Sequence, residues 1–114
     1  MTDEPGGGSE RRRAERVPMA AGGPVAVVGA RLSSVSPFGM KIESPVAIGT
    51  GTILQFRLNI SGEKADVDAR VASCVAGGGE RRGYEIGLEF LELSSAVRDR
   101  LRDVLQQYEG GRRT

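Results

Sequence analysis

Apolar and polar residues alternate along several stretches of this chain, and that pattern leaves few choices of fold. Leu54, Phe56, Leu58 and Ile60 alternate with Gln55, Arg57 and Asn59, and Tyr84, Ile86, Leu88 and Phe90 alternate with Glu85, Gly87 and Glu89. Phe38, Met40 and Ile42 repeat the pattern against Gly39, Lys41 and Glu43, and Val67, Ala69, Val71 and Val75 do so against Asp66, Asp68 and Arg70. Side chains of a strand point to opposite faces in turn, so each stretch predicts a half-buried β-strand. Residues 24–32 (PVAVVGARL) are β-branched and lie between Gly22-Gly23 and Ser33-Ser34, which predicts a fifth strand covered on both faces. The turn signals Ile48-Gly49-Thr50-Gly51, Ser61-Gly62-Glu63 and Gly77-Gly78-Gly79 separate these runs at short spacing. No helix intervenes, so the expected pairing is antiparallel. Closure into a small barrel would remove most of the exposed edges.

One segment has helical spacing. Val97, Leu101, Val104, Leu105 and Tyr108 recur at three and four residues, after Ser94 or Ser95 as a cap and before Gly110 and Gly111 as a stop. About fourteen residues are marginal as an isolated helix, so the apolar stripe is expected to dock on the barrel. Arg98, Arg100, Arg102 and Gln106 are expected to face elsewhere. Residues 1–10 (MTDEPGGGSE) and 110–114 read as flexible tails, leaving a single domain over 11–109.

Catalysis can be tested by inventory. The chain has no His and a single Cys, Cys74. This removes the commonest general base and metal ligand and leaves no thiol–imidazole pair. Cys74 is expected on the strand face opposite Val71 and Val75, as a plain strand residue. Asp66 and Asp68 share a face, which suits a weak cation site less well than a solvated outer wall. No phosphate-cradling loop pattern is present. A binding protein, not an enzyme, is the expectation, with no metal and no cofactor. Asp3 and Glu4 stand where a signal peptide would carry its apolar core, and no apolar run spans a bilayer. The expected setting is cytoplasmic, with no membrane span.

The feature that calls for a partner is Arg11-Arg12-Arg13-Ala14-Glu15-Arg16, where the first tail meets the domain. One reading is a solvated basic patch balanced by Glu10 and Glu15. The other is recognition of phosphate and of a flat base, because a guanidinium is planar, permanently charged and weakly hydrated. Net charge is only +1, so any such attraction has to be local.

The arrangement resembles the PilZ domain, a bacterial receptor module for cyclic di-GMP. That family carries Arg-x-x-x-Arg on an N-terminal loop, matched by Arg12-Arg13-Ala14-Glu15-Arg16. Its second motif, Asp or Asn, any residue, Ser, two residues, then Gly, is matched by Ser34-Val35-Ser36-Pro37-Phe38-Gly39, with Ser34 replacing the acid or amide. Tyr84-Glu85-Ile86-Gly87-Leu88-Glu89-Phe90 looks like the family's late strand, and the helix stands where the family places its own. The resemblance covers nearly all of residues 11–108.

It implies a mainly β fold: a small six-stranded antiparallel β-barrel with one C-terminal α-helix. It implies that Arg12 and Arg16 grip guanine and phosphate, that Ser36 hydrogen-bonds a guanine, and that Gly39 lets the backbone come close. Arg11 occupies the position that in the family goes with a stacked ligand dimer. Ser34 is shorter than Asp by one heavy atom, and the lost or water-bridged contact is expected to cost about 1 kcal/mol, a factor of about five to ten in affinity. The implied protein is a monomeric effector that passes the signal to a downstream protein. A second reading is an adaptor in motility or pilus assembly that has lost the nucleotide. A third, single-stranded RNA on the arginine arm, is opposed by the near-neutral charge and by an aromatic complement of three Phe, two Tyr and no Trp.

Overall fold

The computed structural model describes residues 16–20, 22–77 and 83–113. The expected tail at 1–10, most of the arginine cluster and Gly78-Gly79 lie outside the described residues. Within them the chain forms one antiparallel sheet and one helix. The strands are β1 (Val17–Pro18), β2 (Val25–Val27), β3 (Arg31–Ser36), β4 (Gly39–Ser44), β5 (Ile53–Ile60), β6 (Glu63–Ala76) and β7 (Tyr84–Leu91), followed by α1 (Ser95–Arg113). The sheet order is β1-β3-β4-β7-β6-β5-β2, and every pairing is antiparallel. The sheet curls into a half-barrel of seven strands where six were expected.

The extra strands have local causes. The run expected as one strand over 24–32 breaks into β2 and the start of β3. Gly29 has φ +84°, a left-handed value that L side chains rarely adopt, and Ala30 N–H donates to the Val27 carbonyl across the resulting turn. Val28, at the tip, is 56% exposed. An isolated bridge between Val27 and Ala30 marks this corner, where β2 on one edge of the sheet passes into β3 near the other. The remaining strand, β1, has two residues and adds to the free side of β3.

Two bulges set the faces. In β3, Leu32 pairs with Ile42 but Ser34 pairs with Lys41, so Ser33 is an inserted residue. Leu32 and Val35 are therefore both buried despite their odd spacing. In β6, Val71 pairs with Leu88 and Ser73 with Gly87, so Ala72 is inserted. The insertion reverses the expected faces beyond it. Cys74 pairs with Ile86 and packs against the core, while Val75 pairs with Glu85 and is 59% exposed.

The core is aliphatic. Met40, Leu58, Ile60, Ile86, Leu88 and Val71 line the concave face, and Leu101 and Leu105 of α1 are buried with them. Leu54, Phe56, Val97, Val104 and Tyr108 are half-buried around that cluster. The helix touches β3 and β5, so it lies over the opening that the sheet leaves. Ser94 caps it: its Oγ accepts from Val97 N–H at 3.2 Å, and its carbonyl accepts from Arg98 N–H at 2.9 Å. The helix continues through the expected stop at Gly110 and Gly111 to Arg113. Arg100 reaches Glu63 at 2.6 Å, tying α1 to the start of β6.

The outer wall is polar and paired. Arg57 donates to Asp66 at 2.8 Å across β5 and β6. The hydrogen bond and the charge of Arg57 hold the Asp66 carboxyl below its ordinary value. This contribution is present above the ordinary Asp pKa and fades as pH falls through the lowered one. Asp66 thus has a structural partner, and no group of metal-ligating side chains occurs among the described residues. Among them, too, no helix is long and apolar enough to cross a membrane.

Leu101→Ala should lower the unfolding free energy by about 2–5 kcal/mol, because the cavity opens where helix and sheet meet. Ser94→Ala should cost about 1 kcal/mol by leaving the Val97 N–H without its cap. Urea unfolding curves of the two variants check both values and their order.

Candidate functional site

The wall around the β3–β4 hairpin carries Ser34, Ser36 and Gly39 of the sequence-predicted residues. The hairpin has a two-residue loop, Pro37-Phe38, and pairs Ser36 with Gly39. Ser36 is buried at 3% exposure, and its Oγ accepts from Phe38 N–H at 3.1 Å. This local bond satisfies a loop donor that the ladder cannot reach. The Phe38 carbonyl accepts from Phe90 N–H at 2.9 Å, which fastens the loop to β7.

Gly39 is required by this junction. A Cβ built there would run into the Leu88 carbonyl oxygen of β7. The closeness that the sequence reading assigned to a ligand is used first by the neighbouring strand. Gly39 pairs with Glu89, which pairs in turn with Arg70, and Arg70 donates to Glu89 at 2.7 Å. One row across the wall is therefore Ser36, Gly39, Glu89 and Arg70. The next is Pro18, Ser34, Lys41, Gly87 and Ser73.

Arg16, the described residue of the arginine cluster, directly precedes β1. Val17 pairs with Val35 and Pro18 with Ser34, and Met19 N–H donates to the carbonyl of the bulged Ser33 at 2.9 Å. Val17 and Met19 are buried, so the arm is anchored by two side chains. Arg16 thus lies on the side of Val17 that leads toward the Ser36 end of β3. Arg16 is exposed, and Ser34 is half-buried. Arg16, Ser34, Ser36 and Gly39 are thus brought together, although eighteen or more residues separate the first from the others. Arg11 and Arg12 lie outside the described residues.

Two cations at this place were not singled out from the sequence. Lys41 is the β4 partner of Ser34, and Arg98 of α1 stands over the Phe38 ring at 5.7 Å from its centroid. The strand period places Lys41 on the outer face, so it was legible. Arg98 was not, because nothing local links a helix residue to a hairpin tip sixty positions earlier.

A concavity of about 720 Å³ opens farther along the same sheet, lined in part by Met19, Arg31, Ser33, Glu43, Tyr84 and Glu85. Among the described residues its lining carries Glu43 and Glu85 beside Arg31, and Arg31 already faces Glu43 at 3.9 Å. By charge it is a poor host for an anion. The surface beside the hairpin, approached by Arg16, Lys41 and Arg98, is the better one. Planar cations next to hydroxyls and backbone can hold phosphate and stack on a base.

The model of the PilZ domain family matches residues 10–107. A search of curated proteins returns no match. Among solved structures, the crystal structure of an uncharacterized Legionella protein is similar, with a TM-score of 0.54 at 14% identity, covering 88% of this chain and 99% of that one. At that identity the likeness is one of fold alone.

Gly39→Ala should destabilise the ligand-free protein by about 1–3 kcal/mol, since the methyl group has to displace β7 backbone. Thermal melts without any nucleotide check this. A melting temperature equal to that of the parent would show that the hairpin does not need its glycine.

Proposed function

The chain belongs to the PilZ domain family, a family of cyclic di-GMP receptor modules, and on that premise we propose that it binds cyclic di-GMP on the wall beside the β3–β4 hairpin. The observation that supports this most is the pairing of β1 with β3, Val17 with Val35 and Pro18 with Ser34, which brings the residue before β1, Arg16, to the strand that carries Ser34 and Ser36. In this reading Arg12 and Arg16 take phosphate and guanine together. Ser36 uses its hydroxyl twice: the oxygen keeps the Phe38 N–H, and the O–H donates to a guanine acceptor. Gly39 serves the site indirectly, by letting the hairpin seat against β7. Ser34 offers a hydroxyl where the family has Asp or Asn. Arg11 would meet a second, stacked ligand, giving two nucleotides per protein.

Binding would order the arm along β3 and so change the surface shown to a downstream protein. Members of this family bind and adapt; they do not catalyse, and the protein is read as a non-enzyme, monomeric and cytoplasmic. Ser34 favours one competing reading, the adaptor in motility or pilus assembly that has lost its nucleotide.

Titration calorimetry separates the two. Cyclic di-GMP should bind with measurable heat at micromolar concentrations and a ratio near two. Arg12→Ala and Arg16→Ala should each weaken binding about tenfold or more, as loss of a charge-assisted contact does. Ser34→Asp should strengthen it about five- to tenfold, and Cys74→Ser should leave it unchanged. A folded protein that gives no heat at high micromolar ligand would leave the adaptor as the surviving reading.

A further inference from the structure

Among the described residues, one buried side-chain polar atom has no hydrogen-bond partner: Nε of Arg98. Its neighbours on α1 are matched. Arg100 pairs with Glu63 at 2.6 Å and Arg102 with Asp99 at 3.0 Å. Arg98 pairs with no described carboxylate, and its contact is the face of Phe38. A guanidinium on an aromatic ring keeps its N–H edge directed outward in its own plane, where an acceptor can be met. Buried donors are nearly always satisfied, so an unsatisfied one beside a hairpin that the arm also reaches needs a reason.

We propose that Arg98 is a further binding residue of this site, donating to a phosphate oxygen of the nucleotide from its position beside Phe38. The proposal rests on the cyclic di-GMP reading above. Phe38 is two residues beyond Ser36 on the strand that β1 pairs with, so Arg98 of α1 and Arg16, the residue before β1, both belong to the surroundings of this hairpin. An anion lying over Ser36 would meet Arg16 from β1 and Arg98 from the helix. Arg98 is half-buried as a residue while its Nε is buried, so donation from Nε calls for the side chain to turn toward the anion. The fork of Nε–H and one terminal N–H fits two phosphate oxygens, which an ammonium at the same place would not.

The test combines calorimetry with cyclic di-GMP and NMR of the Arg98 Nε–Hε signal in the parent protein. Arg98→Ala should weaken binding about tenfold, and Arg98→Lys should recover only part of the loss. In the parent, the Nε–Hε signal should shift and saturate with the binding isotherm. If the parent binds while Arg98→Ala binds within about twofold of it, the inference fails and the cyclic di-GMP reading stands. Weakened binding with an unmoved Nε–Hε signal assigns Arg98 a structural role and also overturns it. If Arg98→Ala does not fold, the signal in the parent decides alone. No heat from the parent sinks the reading itself, and the inference with it.

Discussion

An antiparallel sheet with one apolar face has to cover that face, and among the described residues one sheet and one helix do so. The sheet curls over its own aliphatic side, and α1 lies across what remains open. Everything else follows from this demand. Leu101 and Leu105 are buried because the helix completes a cavity that the strands begin. The bulges at Ser33 and Ala72 let long strands bend while returning Val35 and Cys74 to the core side. The corner at Gly29 lets β2 and β3 serve opposite edges of one sheet. A flat sheet would leave Leu54 and Phe56 without the cover that α1 shares with β5.

The hairpin at Ser36 to Gly39 is where these solutions meet. It joins β3 to β4, rests its loop carbonyl on β7, and receives α1 through the Arg98 contact with Phe38. Its inward demands are met by backbone: the Ser36 Oγ bond to Phe38 N–H and the empty space at Gly39. Its outward surface is left free of those duties. A ligand on that surface would not have to remake the fold to bind, and a fold that kept the hairpin could lose the ligand. Structural and recognition requirements share residues here but use different atoms of them.

Much of the architecture could be read in advance because it rests on local periodicity. The alternation over 38–43, 54–60 and 84–90 corresponds to β4, β5 and β7, and the stripe from Val97 to Tyr108 is the docked face of α1. The sequence misled where a strand's phase changes. Ala72 carries no mark of a bulge, since its insertion is decided by pairing with β7, and so the faces of Cys74 and Val75 were exchanged. The β-branched run at 24–32 hid a turn, because one glycine with φ +84° outweighed the strand preference of three valines. β1 is two residues long and shows no period at all; only its pairing makes it a strand. Gly110 and Gly111 are poor helix formers, but a helix already anchored by its buried stripe continues through them. At the site, Arg16, Ser34, Ser36 and Gly39 were legible as motif spacing. Their juxtaposition comes from the β1–β3 register, and Arg98 from a contact between residues sixty positions apart.

Charge bears on how such a wall can select an anion. The whole chain is nearly neutral, so no long-range field gathers ligand. The carboxylates near the hairpin are held by cations of the sheet itself, Glu89 by Arg70 at 2.7 Å and Glu85 by Lys41 at 3.8 Å. Such exposed pairs add little stability, about 0–1 kcal/mol each. Their larger effect is to cancel negative potential close to the hairpin. In the proposed site the guanidinium groups of Arg16 and Arg98 would act over a few ångströms, beside carboxylates that already have cationic partners. Selectivity in that setting depends on the planes and hydrogen-bond forks of the arginines more than on their summed charge, and this favours a compact ligand with both flat rings and phosphates over a long polyanion.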